Sequence, residues 1–172
     1  MNVIRRFVSL ADDSFKPLII GMGEGWTIGH FLNGQKDIVV EVMAHLKDDA
    51  TWAMARAFRS INKDQIYIHP EAILKTLRQN VTERGRRFDF IWLEQNAVDD
   101  TEIAETIDMA YRTLISGGTL CISGVVLNAS IPKHLSETTQ VAYDFTAELT
   151  TDKVTHHTTS NGDGVLQILR KF

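Results

Sequence analysis

Short apolar runs alternate with helical stretches over the first 126 residues of this chain. Five runs rich in β-branched and aromatic residues have the length of strands: 18–21, 37–41, 65–69, 88–94 and 119–126. Between them, apolar residues recur at helical spacing and predict helices over 27–33, 50–61 and 71–81, and from the acidic residues 99–102 to residue 116. Strands that alternate with helices form a parallel sheet covered on both faces, so the pattern predicts an α/β fold.

The two ends of the chain add elements of a different kind. Residues 1–10 have the spacing of a short amphipathic helix, and another helix is predicted over about 136–149. Two strand-like runs, 154–160 and 165–172, flank the residues Asn-Gly-Asp-Gly, which favour a tight hairpin. Together these features predict a Rossmann-like, mostly parallel, seven-stranded sheet with a C-terminal antiparallel hairpin. Six parallel strands would instead suit a nicotinamide-type Rossmann domain.

Composition narrows the class of protein. The chain has 172 residues, 44% of them hydrophobic, and no linker or repeat, so residues 1–172 are expected to form one domain. A net charge of −4 argues against an extended surface for nucleic acid. No apolar run approaches the roughly 20 residues of a membrane span. A single cysteine excludes an internal disulfide framework, and a cytoplasmic protein with no membrane partner is expected.

A glycine-rich turn follows the first predicted strand in the sequence PLIIGMGEG, residues 17–25. Glycines at every second position let the backbone approach a ligand closely, and the next residues can begin a helix whose N–H groups point to the same place. The dinucleotide fingerprint would need a further glycine at Trp26 or Ile28, and a phosphate-binding P-loop would need a lysine, which residues 17–35 lack. The glycines could also serve backbone geometry alone, and Trp26 could wall a pocket or pack under the helix.

Three glutamates end or follow predicted strands. Glu41 closes the second strand, Glu71 follows the third and Glu94 ends the fourth. Ligands of doubly wound sheets bind beyond the carboxyl ends of the strands, at the switch point of the strand order. Carboxylates there suit a ligand with a ribose diol, an exocyclic amine, an ammonium and a sulfonium group, and they repel phosphates. Each glutamate could alternatively be a solvated strand end, and Glu71 could serve the helix dipole alone.

Five segments together give the chain a family resemblance. They are Gly-x-Gly-x-Gly at 21–25, the acid at 41, Pro-Glu-Ala at 70–72, FDFIWLE at 88–94 and LISGGTL at 114–120. Over nearly its whole length the chain resembles class I S-adenosylmethionine-dependent methyltransferases, most closely the small O-methyltransferase-like group. The resemblance implies an enzyme that uses S-adenosylmethionine as its cofactor.

Site roles follow from the same resemblance. Gly21, Gly23 and Gly25 would shape the methionine and ribose side of the cofactor site, Glu41 would bind the ribose and Glu71 the adenine. Glu94 would be the catalytic residue on the acceptor side, as a general base, or would bind the cofactor's ammonium group. The chain departs from the family in having Ile19 where an acid often precedes the glycines, and Ser123 and Gly124 where metal-dependent members have Asp-Asn. No metal site is therefore expected.

The sequence does not identify the methyl acceptor, and it does not decide whether the protein is catalytically active. The acceptor could be a small molecule or a macromolecule, and a second subunit of a homo-oligomer could complete the site. The alternatives to an enzyme of this family are a methyltransferase-fold binding or assembly module without turnover, and an NAD(P)-dependent oxidoreductase.

Overall fold

The computed structural model describes residues 14–23, 25–34, 38–46, 48–61, 63–82, 85–94, 97–123, 154–161 and 164–171. Its strands are β1 (Pro17–Ile20), β2 (Val40–Met43), β3 (Ile66–His69), β4 (Phe88–Glu94), β5 (Leu114–Ser123), β6 (Val154–Asn161) and β7 (Gly164–Lys171). Its helices are α1 (Trp26–Gly34), α2 (Asp49–Ile61), α3 (Ile73–Thr82) and α4 (Ile103–Thr113), the last preceded by a 3-10 turn over Asp100–Glu102. The helices predicted over 1–10 and 136–149 lie outside the described residues.

The strands form one sheet in the order β3-β2-β1-β4-β5-β7-β6. The five strands from β3 to β5 are parallel to one another, and β7 pairs antiparallel with both β5 and β6. The predicted α/β fold with a parallel sheet and helices is confirmed. Its order reverses between β1 and β4, which places a switch point at the carboxyl end of β1.

Alternating side chains of the central strands supply two separate cores. On one face Ile19, Phe90 and Trp92 pack with Ile28 and Phe31 of α1. On the other face Leu18, Ile20 and Ile91 pack with Leu77 of α3 and Ile107 of α4. Because both faces are covered by helices, β1 is fully buried, and the carboxyl ends of the strands are held on a rigid base.

Among the element boundaries that differ from the sequence predictions, three change where a singled-out residue lies. The strand β2 continues to Met43, so Glu41 is its second residue and not its end. Because α3 begins at Ile73, Glu71 lies in the connection before the helix. The helix α4 ends at Thr113, and the Gly117-Gly118 pair that was expected to end it lies within β5.

Candidate functional site at the glycine bend

The glycine bend, formed by Gly21, Met22, Gly23 and Gly25, lies at the carboxyl end of β1. The φ angles are +93° at Gly21, +47° at Gly23 and +80° at Gly25, which lie in a backbone region that residues other than glycine rarely adopt. The Gly21 N–H donates to the Met43 carbonyl of β2 at 2.8 Å, and the Gly25 N–H donates to the Met22 carbonyl at 2.8 Å. These bonds fix the bend between two strands and lead it directly into α1.

Each glycine of the bend faces a different neighbour. A β-carbon at Gly21 would lie 2.5 Å from Cβ of Ala97 and 2.9 Å from Cβ of Glu94. At Gly25 it would lie 2.9 Å from the Phe58 ring and 3.1 Å from the Met54 sulfur, both on α2. Gly25 therefore lets α2 pack against the bend, while Gly21 admits the chain that follows β4. The predicted ligand contacts of Gly21, Gly23 and Gly25 stay predictions.

The carboxylate of Glu94 lies against Gly23. A β-carbon at Gly23 would lie 2.7 Å from Cδ and 2.7 Å from Oε1 of Glu94, and would clash with Oε2. The stem of the same side chain passes Gly21, because Cγ lies 3.5 Å from the position of a β-carbon there. Glu94 thus brings negative charge directly onto the bend. That Glu94 is a catalytic base stays a prediction. Its carboxylate lies at the glycine bend.

Glu41 lies away from the bend. It is in register with Leu18, three residues before Gly21, which is about 10 Å at roughly 3.3 Å per residue. Nη1 of Arg86 donates to both carboxylate oxygens of Glu41 at 2.6 Å, and Nε2 of His69 lies 3.1 Å from Oε2. Burial would raise the pKa of Glu41, but the hydrogen bond with His69 and the charge of Arg86 outweigh it and lower that pKa.

The prediction that Glu41 ends the second strand is therefore wrong. The prediction rested on Glu41 interrupting an apolar run. In the structure, Val42 and Met43 continue the strand. The carboxylate of Glu41 is neutralised by Arg86, which lies 45 residues further along the chain. Binding of a ribose by Glu41 has not been tested and stays a prediction, although its place in β2 disfavours it.

Glu71 lies beyond the carboxyl end of β3, as expected. Its side chain is exposed and forms an ion pair of 3.2 Å with Lys75 in the first turn of α3. An exposed pair of this kind exchanges partners readily, so it leaves the carboxylate able to contact a ligand. Contact with adenine stays a prediction.

Two side chains at this end of the sheet were missed or misjudged from the sequence. His45 is exposed two residues after β2, at the end of the strand where an acid was expected. Extending the apolar run to Met43 would have identified it. Trp26 at the start of α1 is 72% exposed, so it does not pack under the helix. Trp26 directly follows the glycine bend along the chain, and His45 follows Met43, whose carbonyl accepts from the Gly21 N–H.

Ser123, at the end of β5, donates from Oγ to the Leu93 carbonyl of β4 at 3.3 Å. The described residues contain no group of three or more His, Cys, Asp or Glu side chains that could hold a metal ion. Within the same part of the chain, no helix is long and apolar enough to cross a membrane.

Comparisons with known proteins identify the fold. No protein-family model and no curated protein matches the chain. Among solved structures, the O-methyltransferase of Bacillus cereus in complex with SAH matches with a TM-score of 0.74 and 17% identity, over 98% of this chain and 79% of that chain. The O-methyltransferase TomG of Streptomyces achromogenes, involved in tomaymycin synthesis and in complex with SAM, has a TM-score of 0.71 and 18% identity, over 98% and 78%.

A third structure, the SAH-bound methyltransferase PaMTH1 of Podospora anserina, has a TM-score of 0.66 and 16% identity, over 91% of this chain and 71% of that chain. At this level of identity the likeness concerns the fold. The chain has the fold of class I S-adenosylmethionine-dependent methyltransferases.

Proposed function

We propose that the chain binds S-adenosylmethionine at the glycine bend and transfers its methyl group to an acceptor that is still to be identified. The observation that carries the proposal is the bend itself, which has three glycines at positive φ, lies at the switch point of the sheet and has the Glu94 carboxylate against it. A site of this shape and charge suits a cationic nucleoside and disfavours pyrophosphate. The fold shared with the SAH- and SAM-bound methyltransferases supports the same ligand.

The chain's own residues bind and orient the ligand in this proposal. The bend admits the methionine part, His45 can donate to or accept from a ribose hydroxyl, and Glu71 can accept from the adenine amino group. When bound, S-adenosylmethionine would supply an electrophilic methyl group, whose carbon the lone pair of the acceptor attacks as the bond to sulfur breaks and S-adenosylhomocysteine leaves. Direct displacement depends on proximity and alignment more than on a general base, so the proposal needs no metal and no catalytic carboxylate.

Calorimetry with S-adenosylmethionine and S-adenosylhomocysteine tests the proposal. We expect heat of binding with both ligands and none with NAD(P), because the Glu94 carboxylate at the bend would repel a pyrophosphate. Incubation with radiolabelled S-adenosylmethionine and fractionated extract would then identify the acceptor by its label. Absence of binding up to millimolar ligand would contradict the enzyme, and binding of NAD(P) alone would favour an oxidoreductase.

A second candidate, a binding or assembly module without turnover, has one structural observation in its favour. Glu41 is engaged by Arg86, and the position two residues before Gly21 is the fully buried Ile19, so neither strand brings an acid to the bend. Such a module would bind S-adenosylhomocysteine but release no methyl group to any fraction of the extract.

A further inference from the structure

The strand β6 (Val154–Asn161) forms one edge of the sheet. It pairs with β7, and no other strand of the described residues lies beside it. It has eight residues, against four in β3 at the opposite edge, and all eight are in register with β7 without a bulge. A long and regular edge strand presents a row of backbone N–H and C=O groups to a further strand. This edge is therefore a candidate surface for pairing with another chain.

The hairpin connection decides which backbone groups of β6 face the open edge. Two residues connect Asn161 to Gly164, so this pair closes a turn and its backbone groups bond to each other. Hydrogen-bonded and non-hydrogen-bonded pairs alternate along an antiparallel ladder, so Asn161 and every second residue before it bond to β7. The backbone groups of the intervening residues face the open edge. These residues are Val154, His156, Thr158 and Ser160.

The composition of β6 suits an identical strand. Its sequence, VTHHTTSN, contains no Asp, Glu, Lys or Arg, so two copies place no like charges opposite each other while the histidines are neutral. A partner strand with charged residues would find no complementary charge in it. Edge strands that stay unpaired commonly have lysine, proline or a bulge, and β6 has none of these. The occupant that fits this edge is a second copy of the chain.

We propose that β6 pairs antiparallel with β6 of a second copy, which joins two seven-stranded sheets across a two-fold axis. Residues whose backbone groups face the edge must lie opposite one another, and an axis at His157 achieves this for all four within the strand. Val154 then lies opposite Ser160 of the partner subunit. In the same register His156 lies opposite Thr158 of the partner subunit, and His157 lies opposite its own copy as a non-hydrogen-bonded pair.

Cysteine substitution tests this register. His157→Cys would place two cysteines opposite each other, with Cα atoms about 4.5 Å apart, a separation that a disulfide can span. We expect a covalent dimer after mild oxidation, visible by non-reducing gel electrophoresis. His156→Cys is the matched control, because its register partner is a threonine and it should form no covalent dimer. Cys121 is buried and burial raises the pKa of its thiol, so the wild-type chain should not cross-link.

A second pair of variants tests the backbone pairing by sedimentation velocity. Thr158→Pro removes an N–H group that faces the open edge, and it leaves the bonds to β7 in place. We expect the wild-type chain to be a dimer at about 100 μM, and Thr158→Pro to weaken the dimer by at least about 10-fold. Thr158→Val keeps the N–H group and should dimerise as the wild type does. Should thermal unfolding show that Thr158→Pro does not fold, the two cysteine variants decide the test.

The proposal is overturned by a wild-type chain that is monomeric at this concentration, or by a dimer that a folded Thr158→Pro variant leaves unchanged. Equal cross-linking of His157→Cys and His156→Cys would contradict the register. A monomer in which neither variant cross-links is the result expected if another segment of the chain covers β6, and it also contradicts the proposal. None of these measurements needs a bound ligand, so they are independent of the proposed methyl transfer.

Discussion

At the scale of single residues, Gly23 has the closest approach to a charged group among the glycines of the bend. Its φ of +47° and the Glu94 carboxylate both exclude a side chain there. Gly23→Ala would force the carboxylate off the bend and place a methyl group where the ligand is proposed to lie. We expect a loss of S-adenosylhomocysteine affinity of at least about 100-fold by calorimetry, with a loss of about 1–2 kcal/mol in the free energy of unfolding from backbone strain.

Gly29 provides the matched control for this substitution. It lies inside α1, and nothing lies within 4 Å of the position of its β-carbon. Gly29→Ala should therefore stabilise the chain by about 0.5–1 kcal/mol and leave ligand affinity unchanged, because alanine favours the helix. Wild-type affinity in a folded Gly23→Ala variant would show that the ligand does not approach this part of the bend.

Glu41 tests a different property, the dependence of stability on pH. Because its pKa is lowered in the folded state from an ordinary value of 4.5, its contribution is complete above that value and is lost as the pH falls through the folded-state pKa. Glu41→Gln should reduce the free energy of unfolding by about 1–3 kcal/mol at pH 7, since Arg86 and His69 lose a charged partner. The difference from wild type should shrink as the pH falls below 4.5.

Urea unfolding of both proteins at neutral and acidic pH measures this difference. The same variant also tests the ribose prediction, because Glu41 lies below the bend and its loss should leave S-adenosylhomocysteine affinity within about twofold of wild type. A large loss of affinity with unchanged stability would return Glu41 to the ligand site.

At the scale of elements, the end of α4 is fixed by a residue from β7. Nζ of Lys171 donates to the carbonyls of Tyr111 at 3.3 Å and Leu114 at 2.9 Å, and lies 5.2 Å from the centre of the Tyr111 ring. A cation at the carboxyl end of a helix can bond the terminal carbonyls and interacts favourably with the helix dipole. Lys171→Met should therefore lower the free energy of unfolding by about 1–2 kcal/mol without changing ligand affinity.

Lys75→Met is the control for this change. Lys75 is exposed and pairs with Glu71 four residues earlier, so its loss should cost no more than about 0.5 kcal/mol. Equal destabilisation by the two variants in urea unfolding would contradict a specific role for Lys171 at the end of α4.

The same elements show what local sequence could predict. The boundaries of β4 were predicted as Phe88–Glu94 because the run is rich in aromatic and branched apolar residues and polar residues follow it. The end of α4 could not be predicted, since the Gly-Gly pair resembles a helix stop and the residue that binds the α4 carbonyls lies 57 residues beyond Leu114. Boundaries set by local chemistry were thus accessible, and those set by distant partners were not.

At the scale of the whole molecule, the alternation of predicted strands and helices was enough to predict the parallel sheet. Strands that alternate with helices are stable as a parallel sheet with helices on both faces. The glycine bend was equally visible, since its residues are contiguous. Which residue faces each glycine was not, because Glu94 reaches Gly23 only after the sheet places β4 beside β1. The candidate site is therefore partly a local motif and partly a product of strand order.

The central claim is that the glycine bend binds S-adenosylmethionine at the carboxyl end of β1. A crystal structure of the chain with S-adenosylhomocysteine tests it most directly. We predict the ligand across the carboxyl ends of β1 and β4, with its methionine part against the glycine bend. Density for the ligand elsewhere, or an empty bend at saturating ligand, would contradict it.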